Sequence, residues 1–173
     1  MNGIDEGVIN YALYEDGKRF LGIAKVTMPD KVSKSFTMNG AGIGGDIEIP
    51  VVAARDAMKM KIEFRNANEA AYTLAEERVH LVDMRVIHQN LNHKAGEIGE
   101  SDHKFVTKII PLSFSGGDIE VAKPQPVSGE FSVLSIKEYI SNKLVSHIDP
   151  VNMIDIDHTG KDRAASIRRA LGM

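Results

Sequence analysis

The chain has no cysteine and no tryptophan among its 173 residues. The missing cysteine excludes disulfides, thiolate zinc sites, iron–sulfur clusters and thiol nucleophiles. No apolar run is long enough for a membrane-spanning helix, and the opening MNGIDEGVIN lacks the basic and apolar regions of a secretory signal. These absences predict a soluble intracellular protein.

An excess of either charge is also missing, because 21 Lys and Arg stand against 24 Asp and Glu, a formal net charge of −3. That balance argues against a protein that holds nucleic acid by broad charge neutralisation. Aromatic residues make up only 6% of the chain, whereas 43% of the residues are apolar, an ordinary fraction for a globular protein. The length suits one buried core, so we expect a single domain spanning residues 1–173.

What the sequence does contain is alternation of apolar and polar residues. In Ala57–Arg65 the apolar positions 58, 60, 62 and 64 alternate with Lys59, Lys61, Glu63 and Arg65. Such a period of two predicts a strand with one face on a core and the other on water or a partner. The other predicted strands are Arg19–Thr27, Val32–Met38, Arg78–Gln89, Lys104–Ser115, Gly129–Ile140 and Lys143–Asp149.

The segments between these strands predict turns. Ser141 and Asn142 separate the last two strands by two polar residues, which indicates a tight hairpin. Asn90–Asp102 is polar and contains two glycines, so we expect a long loop there. Lys123–Pro126 contains two prolines and predicts a stiff turn.

Two segments have the helical period instead. Apolar residues of Ala67–Glu77 recur at helical spacing, and Asn66 with Glu69 has the spacing of a capping box. At the C-terminal end, Thr159 and Asp162 repeat that spacing before a helix that Gly172 would terminate. Many strands with two helices predict a mainly β, mostly antiparallel fold.

The segment from Gly40 to Gly45 satisfies the string G-x-G-x-x-G. A dinucleotide site requires a helix directly after this string, because the pyrophosphate binds the free N–H groups of that helix. Here Asp46–Pro50 follows, which alternates like a strand and ends in proline. We therefore predict a sharply turning connection and no nucleotide site.

A second motif is the cluster of Asp155, Asp157 and His158 before the C-terminal helix. Carboxylates beside a histidine suit a hard-metal site or a general base. The same residue types also supply hydrogen bonds to turns and helix caps. The cluster leaves open an alternative function, a small β-rich ligand-binding protein or enzyme, although no nucleophile elbow accompanies it.

The number of long predicted strands itself bears on function. Long antiparallel strands have edges and second faces, and an open edge invites pairing with another chain. The pattern therefore favours a subunit of an assembly.

Three ordered blocks of residues have the spacing of a known family. The first contains Ile9–Tyr14, Asp16, Gly17, Leu21, Gly22, Ala24, Val26, Pro29 and Asp30. The second contains Asn39–Asp46, Pro50 and the strand Met58–Arg65. The third contains Ile136, Lys137, Ile140, Lys143, Val145, Ile148, Asp149, Asn152, Gly160, Asp162 and Ala165–Met173. In these blocks the chain resembles the major tail tube proteins of contractile-tailed bacteriophages and of R-type bacteriocins.

The resemblance implies two packed antiparallel sheets, as a β-sandwich or barrel, with flanking helices. It implies hexameric rings that stack into a hollow tube, with no enzymatic activity, no cofactor and no metal. The implied partners are further copies of the chain, the surrounding sheath protein, the baseplate or tube initiator and the tape-measure protein. DNA would be present only in transit, and only in a phage, and no stable membrane association is implied.

The implied location is the bacterial host cytoplasm during assembly, and then a virion tail or a released bacteriocin. Phage and bacteriocin stay open at this point, and the type VI secretion tube has a similar architecture. We expect contacts between subunits or rings at eight positions: Gly40, Gly42, Gly44, Gly45, Asp46, Lys59, Lys61 and Arg65.

These expectations have two different physical reasons. The stretch Met38–Ala54 combines glycines with a proline, so we expect it to be poorly ordered alone and fixed between rings. Lys59, Lys61 and Arg65 share one strand face and outnumber Glu63, so they should meet acidic residues of an adjacent subunit or face the sheath. Left unpaired on the wall of a channel for DNA, they would bind phosphates and slow its passage.

Overall fold

The computed structural model describes residues 3–22, 24–40, 42, 44–92 and 96–173, with the backbone alone for residues 3–6 and 24. Within this part of the chain, strands predominate and the two helices are short. In chain order the elements are β1 (Gly3–Glu15), β2 (Arg19–Phe20), β3 (Ala24–Thr27), β4 (Ser33–Met38), β5 (Ile47–Arg55), β6 (Met58–Phe64), α1 (Glu69–Leu74), β7 (His80–Asn92), β8 (Glu97–Ser115), β9 (Val127–Ile140), β10 (Lys143–Asp149), β11 (Ile154–Ile156) and α2 (Ala165–Ala170).

Nine of these strands form one antiparallel sheet. Its main path has the order β11-β10-β9-β8-β7-β1-β2, and β6 joins it by pairing with β9 on one edge and β3 on the other. The remaining two strands, β4 and β5, pair only with each other. The predicted mainly β, antiparallel fold with two helices is confirmed.

Strand β9 is where the large sheet folds over. One edge of β9 pairs with β8, while the other pairs with β6 over Val127–Val133 and with β10 over Ile136–Ile140. Opposite β8, one extra residue of β9, Leu134, interrupts the register, and such bulges bend a strand. The two packed layers of the predicted fold are therefore two parts of one continuous sheet.

The core lies between these layers. Strand β6 alternates as the sequence predicts, with its apolar residues buried and Lys59 and Lys61 exposed. Met60 of β6 lines the same interior space as Leu13 of β1 and Val82 of β7, so the two layers pack face to face. The buried apolar residues form one cluster: Leu13, Leu21, Met58, Met60, Ile62, Phe64, Ala71, Leu74, Val82, Met84, Val86, Ile109, Val127, Phe131, Val133, Ile136 and Ile148.

Two connections differ from expectation. The loop predicted at Asn90–Asp102 was wrong, because β7 continues to Asn92 and β8 begins at Glu97. Backbone pairing with β1 and between β7 and β8 sustains strands there, although apart from the paired Leu91 and Ile98 the side chains are mostly polar. The single strand predicted at Arg19–Thr27 is divided between β2, which pairs with β1, and β3, which pairs with β6.

The tight hairpin at Ser141 and Asn142 is confirmed. Both residues have positive φ, 48° and 62°, as a two-residue turn between twisted strands requires. Gly172 also has the predicted role, since its φ of 74° ends α2.

The predicted helix N-caps were wrong at both helices. Asn68, not Asn66, caps α1, and its Oδ1 accepts a hydrogen bond from the N–H of Ala71 at 2.8 Å. The cap of α2 is Ala164, whose methyl side chain provides no hydrogen bond. Thr159 lies outside the helix and bonds Asp157 in the preceding turn. Each predicted helix was also longer than the observed one.

A buried charged cluster joins β1 to the start of β7. Glu15 Oε1 lies 2.7 Å from Nδ1 of His80 and 2.7 Å from Nη2 of Arg78. The other ring nitrogen of His80 lies 3.0 Å from the carbonyl oxygen of Glu76. Both histidine nitrogens thus lie within hydrogen-bond distance of oxygen atoms.

Replacing Asn68 with alanine should lower the free energy of unfolding by about 1 kcal/mol, the usual cost of losing an N-cap. Asn66→Ala is the matched control and should change it by much less. Urea unfolding followed by circular dichroism measures both. Equal losses in the two variants would contradict the cap assignment.

Stability should also depend on pH through Glu15. Burial raises the pKa of Glu15, but hydrogen bonds from His80 and Arg78 outweigh it and hold the pKa below the ordinary 4.5. The ionised carboxylate therefore stabilises the fold above about pH 4.5, and this contribution disappears as the pH falls through the lower native-state pKa. Urea midpoints measured from about pH 6 to pH 3 should fall less for Glu15→Gln than for the natural chain.

The exposed Glu77 offers a control for this pH dependence. Glu77→Gln should leave the slope of stability against pH as it is in the natural chain. A slope that is the same in all three proteins would refute the role given to Glu15.

Candidate assembly surfaces

The β4–β5 hairpin extends away from the large sheet. Its strands pair in antiparallel register from Ser33 opposite Arg55 to Met38 opposite Ile47. A two-stranded hairpin alone is only marginally stable in water. In the described structure nearly all of its side chains are exposed or half-exposed.

One face of this hairpin is apolar. Phe36 is opposite Ile49 and Met38 is opposite Ile47, so these four side chains share a face, which we call the hairpin face. Phe36, Met38 and Ile47 are exposed large apolar residues. A contiguous apolar surface of this kind is a candidate for contact with a partner.

The glycine-rich segment joins the two strands of this hairpin. Met38 and Ile47 are paired on either side of it, so a strand and not a helix follows the glycines. The described residues Gly40, Gly42, Gly44, Gly45 and Asp46 are exposed. The predicted turning connection between two strands is confirmed, whereas the contact role of these residues stays a prediction.

The base of the hairpin is held to the large sheet by a buried carboxylate. Asp155 of β11 is 2% exposed and accepts hydrogen bonds on Oδ2 from Nε and Nη2 of Arg55 at 3.1 and 2.8 Å. Its Oδ1 accepts a hydrogen bond from Nη2 of Arg163 at 2.7 Å. Arg55 also donates from Nη1 to Ser33 Oγ at 2.9 Å. Asp155 thus fixes the last residue of β5 and, through it, the first residue of β4.

The Asp155–His158 cluster has a structural arrangement. Asp155 is occupied by the two arginines, and Asp157 accepts hydrogen bonds from Thr159 that lower the pKa of its carboxyl. His158 is exposed in the same turn. No group of three or more metal-ligating side chains lies together in the described residues. Asp157 thus serves the turn, as the structural interpretation of the cluster predicts, whereas Asp155 is buried in a strand and holds the hairpin base, which was not predicted.

The charged face of β6 is largely neutralised within one chain. Lys59 Nζ lies 2.9 Å from Glu130 of β9, and Lys61 Nζ lies 2.9 Å from Glu63. Arg65 is exposed and has no ion pair among the described residues. Two of the three cations therefore have carboxylate partners in their own subunit, and the expected contact with an adjacent subunit or with the sheath stays a prediction. The prediction missed Glu130 because it lies far away in the sequence.

None of the helices in the described residues is long and apolar enough to cross a membrane.

The family profile described as "Phage tail tube protein FII" matches residues 5–172. The chain belongs to this family. The family predicted from the three sequence blocks is thus confirmed. No curated protein sequence matches the tail tube chain.

Two solved structures share the fold of this tail tube protein. One is a chain of an extracellular contractile injection system, the PVC sheath–tube complex in the extended state. It has a TM-score of 0.51 and 11% identity, covering 75% of this chain and 88% of the other. The second, from the PVC sheath/tube terminator in the extended state, has a TM-score of 0.50 and 11% identity, covering 76% and 94%. At such identity the likeness shows the fold alone.

Two features of these surfaces were not predicted, and neither were the strands β1 and β11. One is the hairpin face, although positions 36, 38, 47 and 49 alternate visibly. The other is the contact between Arg55 and Asp155, which are separated by 100 positions. Periodicity could have found the first, but no local signal indicates the second.

Replacing Asp155 with asparagine should loosen the hairpin. The change removes the charge that both arginines face, and a broken buried pair costs about 3 kcal/mol or more. We expect faster hydrogen exchange in residues 33–38 and 47–55 with little change in β7 and β8. Asp157→Asn, in the exposed turn, is the control and should leave the hairpin protected. Unchanged hairpin exchange in Asp155→Asn would count against the anchoring role.

Proposed function

We propose that this tail tube protein is the structural subunit of the inner tube of a contractile tail or tail-like particle. Six copies form a ring, the rings stack into a hollow tube, and a sheath surrounds that tube. Family membership supports the tube role, and the fold shared with chains of a sheath–tube complex supports a sheath partner. The tube pierces a target envelope when the sheath contracts.

The hairpin face is the observation that carries this proposal. A hairpin with four apolar side chains on one face gains stability once a neighbour covers that face, at about 1.5–3 kcal/mol for each large side chain fully buried. Because the hairpin projects from the large sheet, it reaches a neighbouring copy without distorting its own core. Its glycine-rich tip makes a contact between stacked rings in this proposal.

The charge of the chain suits a conduit for DNA in a phage, or an empty tube in a bacteriocin. Each copy carries −3, so a ring of six carries six times −3, or −18. A negative ring repels DNA and limits its adhesion during passage. The pairs Lys59–Glu130 and Lys61–Glu63 remove two cations per copy that would otherwise bind phosphates.

Polar substitutions on the hairpin face should abolish tube formation while the subunit still folds. In the double variant Phe36→Ser with Ile47→Ser, the large sheet and its core are untouched because neither residue belongs to the buried cluster. Negative-stain electron microscopy and sedimentation velocity should show tubes or rings for the natural chain and small species for the variant. Circular dichroism should give the same strand signal for both.

Val151→Ser is the matched control, because Val151 is 71% exposed and is not one of the four side chains of the hairpin face. It should assemble like the natural chain. A natural chain that stays monomeric at every concentration and in every buffer would overturn the proposal. If the double variant formed tubes in normal yield, the hairpin face would have no role in tube assembly.

A further inference from the structure

A groove of about 390 Å³ opens between β3 and the layer formed by β1, β7 and β8. It exists because the folded sheet is not closed at this point: in the described residues β3 pairs only with β6, and β1 pairs only with β2 and β7. Its apolar lining comes from both layers: Val8, Val26, Met28, Met84, Val86 and Phe105.

Cationic and hydrogen-bonding groups complete the lining. Lys25 is exposed on β3, and the rings of His88 and His103 lie with centroids 4.2 Å apart, tilted by 51°. The Nδ1 atom of His88 is buried beneath the groove surface and has no hydrogen-bond partner among the described residues. The groove thus combines an apolar floor with one exposed lysine. That combination suits a segment in which apolar and acidic side chains alternate.

The chain contains such a segment between β8 and β9. In the order Asp118, Ile119, Glu120, Val121, two aliphatic side chains alternate with two carboxylates. Ile119 is 85% exposed and Val121 is 94% exposed, more than any other large apolar residue in the described structure. Glu120 pairs with Lys123, but both side chains are exposed, and such surface pairs are weak and readily exchanged.

The base of this loop is held firmly. Gly117 has a φ of +68°, and a Cβ atom there would lie 1.8 Å from the carbonyl oxygen of Pro126. Gln125 Nε2 donates to the carbonyl oxygen of Gly116 at 2.7 Å. The two ends of the loop are thus locked together, and residues 118–121 project from a fixed base. A projecting segment with a fixed base loses less entropy on binding than a free one.

The loop and the groove lie far apart along β8. His103, at the groove, is opposite Ile140, while Ser115, at the loop, is opposite Ser128. Twelve positions of β8, from 103 to 115, separate them, which is about 40 Å at the rise of a strand. A chain therefore cannot fill its own groove with this loop, but a second copy placed end to end can.

We propose that residues 118–121 of one copy dock in the groove of the next copy. Ile119 and Val121 pack against the apolar floor, and Asp118 and Glu120 lie toward Lys25. Two different patches make a heterologous contact, which adds copies head to tail when its geometry does not close into a ring. The proposal rests on the proposed self-assembly into a tube, and it assigns one contact between rings to named residues.

The absence of cysteine gives a clean test. In the double variant Val8→Cys with Ile119→Cys, oxidation of assembled tubes should join copies through the groove. Denaturing, non-reducing electrophoresis should then show a ladder of dimers, trimers and longer chains, because each copy carries both partners. The ladder should vanish on reduction. Because a disulfide forms only between Cα atoms less than about 7 Å apart, the ladder reports direct contact between the two positions. Val151→Cys with Ile119→Cys is the control, and it should give no ladder.

The other outcomes are equally informative. Tubes that form normally but give no ladder from the Val8 and Ile119 pair would overturn this docking and leave the tube function standing. A ladder from Val8→Cys with Phe36→Cys in its place would assign the groove to the hairpin face and also overturn it. If the natural chain forms no tubes at all, the tube function itself fails.

A charge exchange tests the same contact without cysteines. Lys25→Glu and Glu120→Lys should each reduce the yield of tubes at low salt, and the two together should recover much of it. A double variant no better than the singles would contradict the pairing of the loop with Lys25.

Discussion

The pairing of β9 is the constraint on which the rest of the structure depends. Its backbone groups are satisfied on one edge by β8, but on the other edge β6 pairs up to Val133 and β10 from Ile136. Because β6 and β10 pair with successive parts of the same edge of β9, they can lie in different layers. The extra residue Leu134 bends β9 between these two parts. Strands β6 and β3 are thereby carried over the core. The groove beside β3 follows directly, because nothing in the described residues pairs the free edges of β3 and β1 across it.

The same constraint explains how much apolar surface is left outside the core. The folded sheet buries one face of β6, β7 and β8, but the β4–β5 hairpin between β3 and β6 has no layer to pack against. Its apolar face and the side chains of Ile119 and Val121 stay in water in the single chain. A monomer gains nothing from exposing them. An assembly subunit gains by burying them against other copies, so their exposure is a physical reason to expect self-association.

Much of the sheet was predictable, since alternation depends only on neighbouring residues. Strand β6, the hairpin at Ser141 and the helix end at Gly172 were found because their signals are local. The polar ends of β7 and β8 were not, because their stability comes from pairing and not from a buried face. The caps failed because Asn66 and Asn68 have similar local signals and only the packing of Ala71 and Leu74 selects between them. The partners of Lys59 and Arg55, Glu130 and Asp155, are brought near only by the completed fold.

The two projecting segments have a common design. Asp155 fixes the base of the hairpin, and Gly117 with Gln125 fixes the base of the loop, so each segment is ordered at its root and exposed at its tip. Much of the conformational entropy of each segment is therefore lost when the chain folds, and less is lost on assembly. At the hairpin the root is an ion pair with directed hydrogen bonds, although apolar packing would stabilise equally well. Two hydrogen bonds from one guanidinium to one carboxylate oxygen set a direction as well as a distance. A hairpin that must meet a neighbour at a fixed angle needs that direction.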